Sequence, residues 1–182
     1  MPGLFQSALA PFTLKGFYLL TWGTALGSNV WNTVSGYRSY TSLPRQTFGT
    51  LQSRLTPLYF SFQTLTTSTL LLTHLYFHPS LISSPLVEPH WATCEEGRQG
   101  LLILASVVAS AVNWLVVGPL TTSVMFDRHR LERLEGKEAD EPNPSEAMAK
   151  ANKKFSTYHA ISSSLNLISE LALVGLGLAV SM

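Results

Sequence analysis

Four long stretches of the chain are built almost wholly from apolar and small residues, and the segments between them hold most of its charge. The first covers 12–36 and has one charged residue, Lys15, near its start. The second, 55–77, and the third, 101–126, contain no Asp, Glu, Lys or Arg. The fourth, 158–180, carries a single acid, Glu170. Roughly 20 apolar residues in a helix cross a hydrocarbon core, and each stretch is long enough. None alternates with the period of two of a membrane barrel strand. In lipid every backbone polar group must be bonded internally, which leaves helix as the conformation. The rival is a soluble bundle with greasy cores, yet surface helices of soluble proteins keep a charged face, and the second and third stretches have none. The pattern predicts an all-α membrane protein, a left-handed bundle of four transmembrane helices over a single domain, 1–182.

The segments between the spans set the orientation. Residues 37–54 carry Arg38, Arg45 and Arg54 without an acid, and 127–157 carry Arg128, Arg130, Arg133, Lys137, Lys150, Lys153 and Lys154. Four spans put these two loops on one side, facing only Arg98 and the boundary residue Lys15 on the other. Lys and Arg accumulate on the cytoplasmic side, so both loops are expected there and both termini in the lumen. The segment before Phe12 has no basic residue and no apolar core of its own, so no cleaved signal is expected. Tyr37, Tyr40, Tyr76, Phe77 and Tyr158 fall at the ends of the spans, where aromatic rings favour the headgroup level. Trp114 lies mid-span and is read as packing.

Composition narrows the classes further. Only 13% of the residues are charged, against about 25% in an average soluble domain. A net charge of +1 gives no basic stripe for nucleic acid. One cysteine, Cys94, excludes an intrachain disulfide.

The charged 127–157 loop is expected to form a cytoplasmic helical hairpin. Residues 127–141 extend span three, with Arg128 and Glu132 spaced as an i,i+4 pair, and Pro142 and Pro144 end that helix. Asn143, Pro144 and Glu146 fit an N-cap, a first-turn proline and an acid at the third position. Glu146 and Lys150 form a second i,i+4 spacing in the helix that runs into span four. Mixed charge of this kind reads as a solvated face.

Polar residues recur inside the spans. Span one has Gly16, Gly23 and Gly27, then Asn29, Asn32 and Gly36. Span two puts Gln63, Thr67 and His74 on one face. Span three does the same with Ser106, Ser110 and Asn113, then bends or loosens at Gly118 and Pro119. Span four aligns His159, Ser163, Asn166 and Glu170. Two roles are open. Small residues let helices approach closely and amide side chains bond across them, at roughly 0.5–2 kcal/mol each. Alternatively Glu170, His159 and His74 line a polar path, because an ionisable group in a span is costly. The candidate interior face comprises Glu170, Asn166, His159, His74, Gln63, Asn113, Asn32 and Asn29. In the luminal loop His90 and Cys94 are four apart, but without a third ligand at a recognised spacing they make no metal site, and a solvated loop is expected. No nucleophile triad order, phosphate-binding glycine loop or HExxH run gives enzyme chemistry a foothold.

Two segments, LPRQTFGTLQSRLTPLYF at 43–60 and NWLVVGPLTTSVMFDRHRLERLEG at 113–136, resemble the transmembrane protein 205-like family. Gly27, Trp31 and Gly36 in span one and the run Ser164-Leu165-Asn166-Leu167 in span four agree with it, whereas Thr56 stands where a bulkier apolar residue is expected before Pro57. The resemblance implies a multi-pass protein of eukaryotic membranes linked with tolerance of toxic compounds and vesicle traffic, and it carries over no catalytic or binding residues. In the first segment Pro57 is expected in the first turn of span two, with Arg45 and Arg54 near lipid phosphates. In the second, the carbonyl freed by Pro119 is expected to find Thr121, Thr122 or a neighbouring helix. The expectation is a non-enzymatic membrane protein of the endomembrane system, with mitochondrial membranes the other placement. It needs no cofactor, and its partners are the lipid bilayer and other membrane proteins or copies of itself. The alternative is a small channel or carrier for protons, ions or small solutes.

Overall fold

The structure is a computed structural model and describes residues 13–83, 85–86 and 88–181. Every regular element among them is helical. Helix α1 spans Leu14–Ser42, and the Thr13 hydroxyl caps its first turn by accepting from the Gly16 amide at 3.0 Å. It stops because Leu43 precedes a proline, which disfavours helical backbone, and Leu43 is extended. Helix α2, Arg45–Phe77, starts directly after Pro44. The expected 37–54 loop is therefore a two-residue turn between helices that outrun their apolar stretches. Hydropathy stops at the arginines, but helix propensity does not. Pro57 consequently lies inside α2 rather than in its first turn.

Two short helices, α3 (Ser80–Ser83) and α4 (Pro89–Thr93), cover the next connection. Its polar side chains are solvated as expected, but Leu81 and Trp91 are buried. Trp91 packs on α5 (Glu95–Val112), where a Cβ on Gly100 would lie 2.9 Å from the indole. The Cys94 sulfur caps α5 by accepting from the Gly97 amide at 3.2 Å.

Helix α5 continues through a π-helical turn, Asn113–Val117, into α6, Gly118–Glu135. The turn answers a local need. Pro119 has no N–H and its ring crowds the carbonyl four residues back. One extra residue in the turn relieves this, and the Gly118 amide reaches the Asn113 carbonyl instead. Thr121 adds a hydroxyl bond to Val117 O at 2.7 Å. Helix α6 ends at Gly136 in the left-handed conformation (φ 63°), six residues short of Pro142. Helix α7 covers Glu146–Ser181. Its cap is Ser145, whose hydroxyl accepts from the Met148 amide at 3.0 Å. Asn143 has φ 58° and belongs to the turn.

The four long helices pack α1 on α2, α2 on α5, α5 on α7 and α7 back on α1. Tyr18, Ala25, Leu70, Ile103, Leu173 and Leu176 form an apolar core at the end near α3 and α4. Amides and hydroxyls occupy the middle, and charged residues are clustered at the opposite end. Two helices, Glu95–Glu135 and Glu146–Ser181, are long and apolar enough to cross a membrane. Helices α1 and α2 fall short of that standard because α2 is crowded with threonine and α1 with small polar residues.

Candidate functional site in the helix interior

Interior positions on each helix follow the 3.6-residue period, and at mid-height they bring amides together. Tyr59 Oη donates to Asn166 Oδ1 at 2.8 Å, and Asn166 Nδ2 donates to Asn29 Oδ1 at 3.0 Å. One relay thus joins α2, α7 and α1. Beside it the Ser28 hydroxyl donates to Gln63 Oε1 at 2.9 Å. Asn113, at the start of the π turn, donates from Nδ2 to the Ser162 carbonyl at 2.9 Å. Ser106 and Ser169 are 2.6 Å apart, tying α5 to α7. Asn29, Gln63 and Asn113 are fully buried. Three of their atoms, Asn29 Nδ2, Gln63 Nε2 and Asn113 Oδ1, have no hydrogen-bond partner in the protein. Two donors and one acceptor are therefore left over in the interior, where an unmade hydrogen bond costs about 1–3 kcal/mol.

The predicted face is only partly one site. Asn29 and Asn166 bond directly, Gln63 is tied to Ser28 next to Asn29, and Asn113 to the Ser162 carbonyl one turn before Asn166. Asn32 is half-buried and outside the relay. Glu170 is half-buried, one turn beyond Asn166 and within electrostatic reach of Tyr59. Both ion pairs among the described residues belong to Arg45, so Glu170 takes part in neither. His159 is a correction: it is exposed and stacks on Phe155 of its own helix at 5.6 Å. The face α7 turns inward runs through Ala151, Tyr158, Ser162, Asn166 and Ser169, and His159 is one residue, about 100°, off that line. His74 is buried but stands 11 residues from Gln63, about 16 Å along the axis. Its Nε2 faces the Glu96 carbonyl at 2.8 Å and its Nδ1 the Tyr18 hydroxyl at 3.4 Å. A carbonyl can only accept, so Nε2 carries the proton and Nδ1 accepts from Tyr18. His74 thus fastens the α4–α5 cap to α1 and α2. Gly23, Gly27 and Gly36 also depart from expectation, since no atom outside the local helix lies within 4 Å of a Cβ built on any of them. Their face is open instead of packed against a helix of the same chain.

Tyr59, Ser28 and Ser169 were not singled out from the sequence. Tyr59 lies one helical turn before Gln63 and was readable as sharing its face. Ser28 and Ser169 carry no such signal.

A second polar constellation lies at the charged end. Glu132 is buried and accepts from the Ala139 amide at 3.0 Å and from Gln46 Nε2 at 3.3 Å. Arg45 reaches Glu132 at 3.4 Å and Asp140 at 2.8 Å. The longer contact is a charge pairing without an aligned hydrogen bond. Arg128 donates to Asn152 Oδ1 at 2.8 Å and lies 4.4 Å above the Phe155 ring, while Asn152 donates to the Ala139 carbonyl at 2.6 Å. The expected Arg128–Glu132 pair is therefore replaced by partners distant in sequence, and Arg45 is engaged with carboxylates rather than free for phosphates. Burial lowers the Arg128 pKa, with Arg45 adding to the effect. Burial likewise lowers the pKa of His129, opposed by Glu132 and reinforced by Arg45, Arg128 and Arg133. Cys94 Sγ and His90 Nε2 are 3.9 Å apart, and no group of three metal-ligating side chains forms among the described residues.

The sequence profile of a domain of unknown function, DUF4149, matches residues 20–130. The chain belongs to this family. No solved structure matches it. The matched DUF4149 segment takes in Ser28, Asn29, Tyr59, Gln63 and Asn113, and at the charged end Arg45, Arg128 and His129. It ends before α7, so the Asn166 half of the relay lies outside it. The segment contains the whole 43–60 block and most of the 113–136 block.

Proposed function

We propose that this chain is a non-enzymatic membrane protein with four spans, in which the mid-height amides lock the helices to one another. The observation that carries the reading is the outer surface. Leu58, Leu65 and Leu72 on α2 are 67–69% exposed, and Trp31, Leu115 and Leu178 on the other long helices 62–70%. Water would not tolerate so much contiguous apolar surface, whereas lipid accepts it. The threonines that depress the hydropathy of α2 are no obstacle. Thr64, Thr66, Thr67, Thr69 and Thr73 each donate to the carbonyl four residues back, at 2.7–2.9 Å. Hydroxyls satisfied within their own helix can face hydrocarbon.

The basic residues at the α1–α2 and α6–α7 turns make that end cytoplasmic under the positive-inside rule, leaving α3 and α4 luminal. The resemblance to the transmembrane protein 205-like family supports a role in the endomembrane system, in vesicle traffic or tolerance of toxic compounds, among other membrane proteins. Cys94, the sole cysteine, reports the topology directly. In sealed microsomes an impermeant maleimide should label it only after permeabilisation, while Lys137→Cys in a Cys94→Ser background should label at once. The opposite pattern would invert the orientation, and equal labelling of both would remove the membrane reading.

The second reading, a carrier, is favoured by the three unpaired interior atoms and by Glu170 beside them. Proton and solute flux in liposomes separates the two. The locking role predicts no flux above empty vesicles; flux lost in Glu170→Gln would establish the carrier.

A further inference from the structure

At the charged end, α6 and α7 enclose a groove of about 230 Å³. Its floor is apolar, with Val124, Leu131 and Ala151, and its rim carries Arg130, Lys150 and Lys154 against one acid, Asp127. All four charged residues are exposed, and none takes part in either ion pair of the described residues. Nearby Arg128 is different, being spent on Asn152 and Phe155. Three cations thus converge on an apolar furrow without protein counter-charges to match them.

The groove's position along the helices matters as much as its charge. It lies at the ends of the two helices that are long and apolar enough to cross a membrane. Asp127 directly follows the apolar stretch of α6, and Lys154 precedes that of α7 by one turn. Leu120 and Phe126 on α6 and Ile161 on α7 are exposed along the same two helices, a path for acyl chains leading away from the cations. Long basic side chains at helix ends reach up to the headgroup level.

We propose that this groove holds one anionic phospholipid, its phosphate between Arg130, Lys150 and Lys154 and its chains along the α6–α7 furrow. The proposal rests on the membrane-spanning reading. Asp127 opposes the bound anion and would weaken it.

The test is native mass spectrometry of the full chain in detergent, with phosphatidic acid and phosphatidylcholine of identical chains added in competition. Wild type should retain one phosphatidic acid in preference to phosphatidylcholine. Replacing Arg130, Lys150 and Lys154 together with Gln should cut that retention roughly 100-fold, at about fivefold per basic residue. Asp127→Asn should strengthen it. A control with Arg38, Arg54 and Lys137 replaced by Gln, on the same side but outside the groove, should keep it, which also separates loss of the site from loss of fold. Equal loss in the control would reduce the effect to diffuse charge and overturn the site. Displacement by millimolar inorganic phosphate would overturn the lipid as its occupant. Alkaline carbonate extraction tests the spanning reading separately: release from membranes would sink that reading, whereas a carbonate-resistant chain without headgroup preference would sink only the lipid site.

Discussion

A methyl group on Gly118 would lie 2.6 Å from the Asn113 carbonyl oxygen, and a backbone atom in the middle of a helix cannot retreat. Gly118→Ala is expected to cost about 1–3 kcal/mol, the range of overpacked cores, measured as a fall in the thermal midpoint in detergent. Gly23→Ala and Gly27→Ala meet nothing within 4 Å. They should be neutral or gain up to about 1 kcal/mol of helix propensity, and a large loss at either would mean that a partner occupies that face. His129 sets a pH dependence at the same scale. It is buried, and its burial lowers its pKa, so the unfolded chain takes up a proton near pH 6.5 while the folded one does not. More protons bound in the unfolded state means stability rises with pH. The contribution of His129 is present above about pH 6.5 and lost as pH falls below it, and His129→Gln should flatten that limb of a pH–midpoint curve.

Within elements, local pattern was legible and long-range choice of partner was not. Gln63, Thr67 and His74, like Ser106, Ser110 and Asn113, are buried as their spacing predicts, because a helix repeats every 3.6 residues whatever surrounds it. Arg128 and Glu132 have an ideal i,i+4 spacing, worth about 0.2–0.5 kcal/mol. The α1–α2 turn instead delivers Arg45 to the buried Glu132, a pairing that no spacing reveals. Asn143 was misread as a cap: its φ of 58° lies outside the extended backbone of an N-cap, and the helix begins two residues on, where the Ser145 hydroxyl accepts from the Met148 amide. The 137–145 segment is consequently held by Arg45 through Asp140 and Glu132. Arg45→Met should cost about 1–3 kcal/mol, less than the ~3–5 kcal/mol of a wholly buried pair because Arg45 keeps some contact with water. The measurable sign is faster tryptic cleavage after Lys137, with no change in helix content.

At the scale of the whole molecule, charge and apolar length together pointed to helices with a basic end, and two of the four stretches pass on length and hydropathy alone. The other two do not, since hydropathy scores a threonine as polar whether or not its hydroxyl is already bonded. Of the candidate interior face, Asn29, Asn166, Gln63 and Asn113 enter the mid-height bonds and Asn32 does not; His74 lies at another level, and His159 is turned off the inward face. The π turn has a reach that its five residues conceal. Removing one of residues 114–116 would return the segment to α-helical spacing and bring back the crowding of the carbonyl four residues before Pro119, and it would also turn everything beyond by about 100° and draw it in by about 1.5 Å. Val124, His129 and Glu132 would then swing off the faces that meet α2 and α7, and Glu132 would leave Arg45. The irregular turn acts as a phase corrector between the two halves of one long helix: it keeps the amide level and the charged end in step. A deletion that removes the irregular turn should therefore loosen the protein.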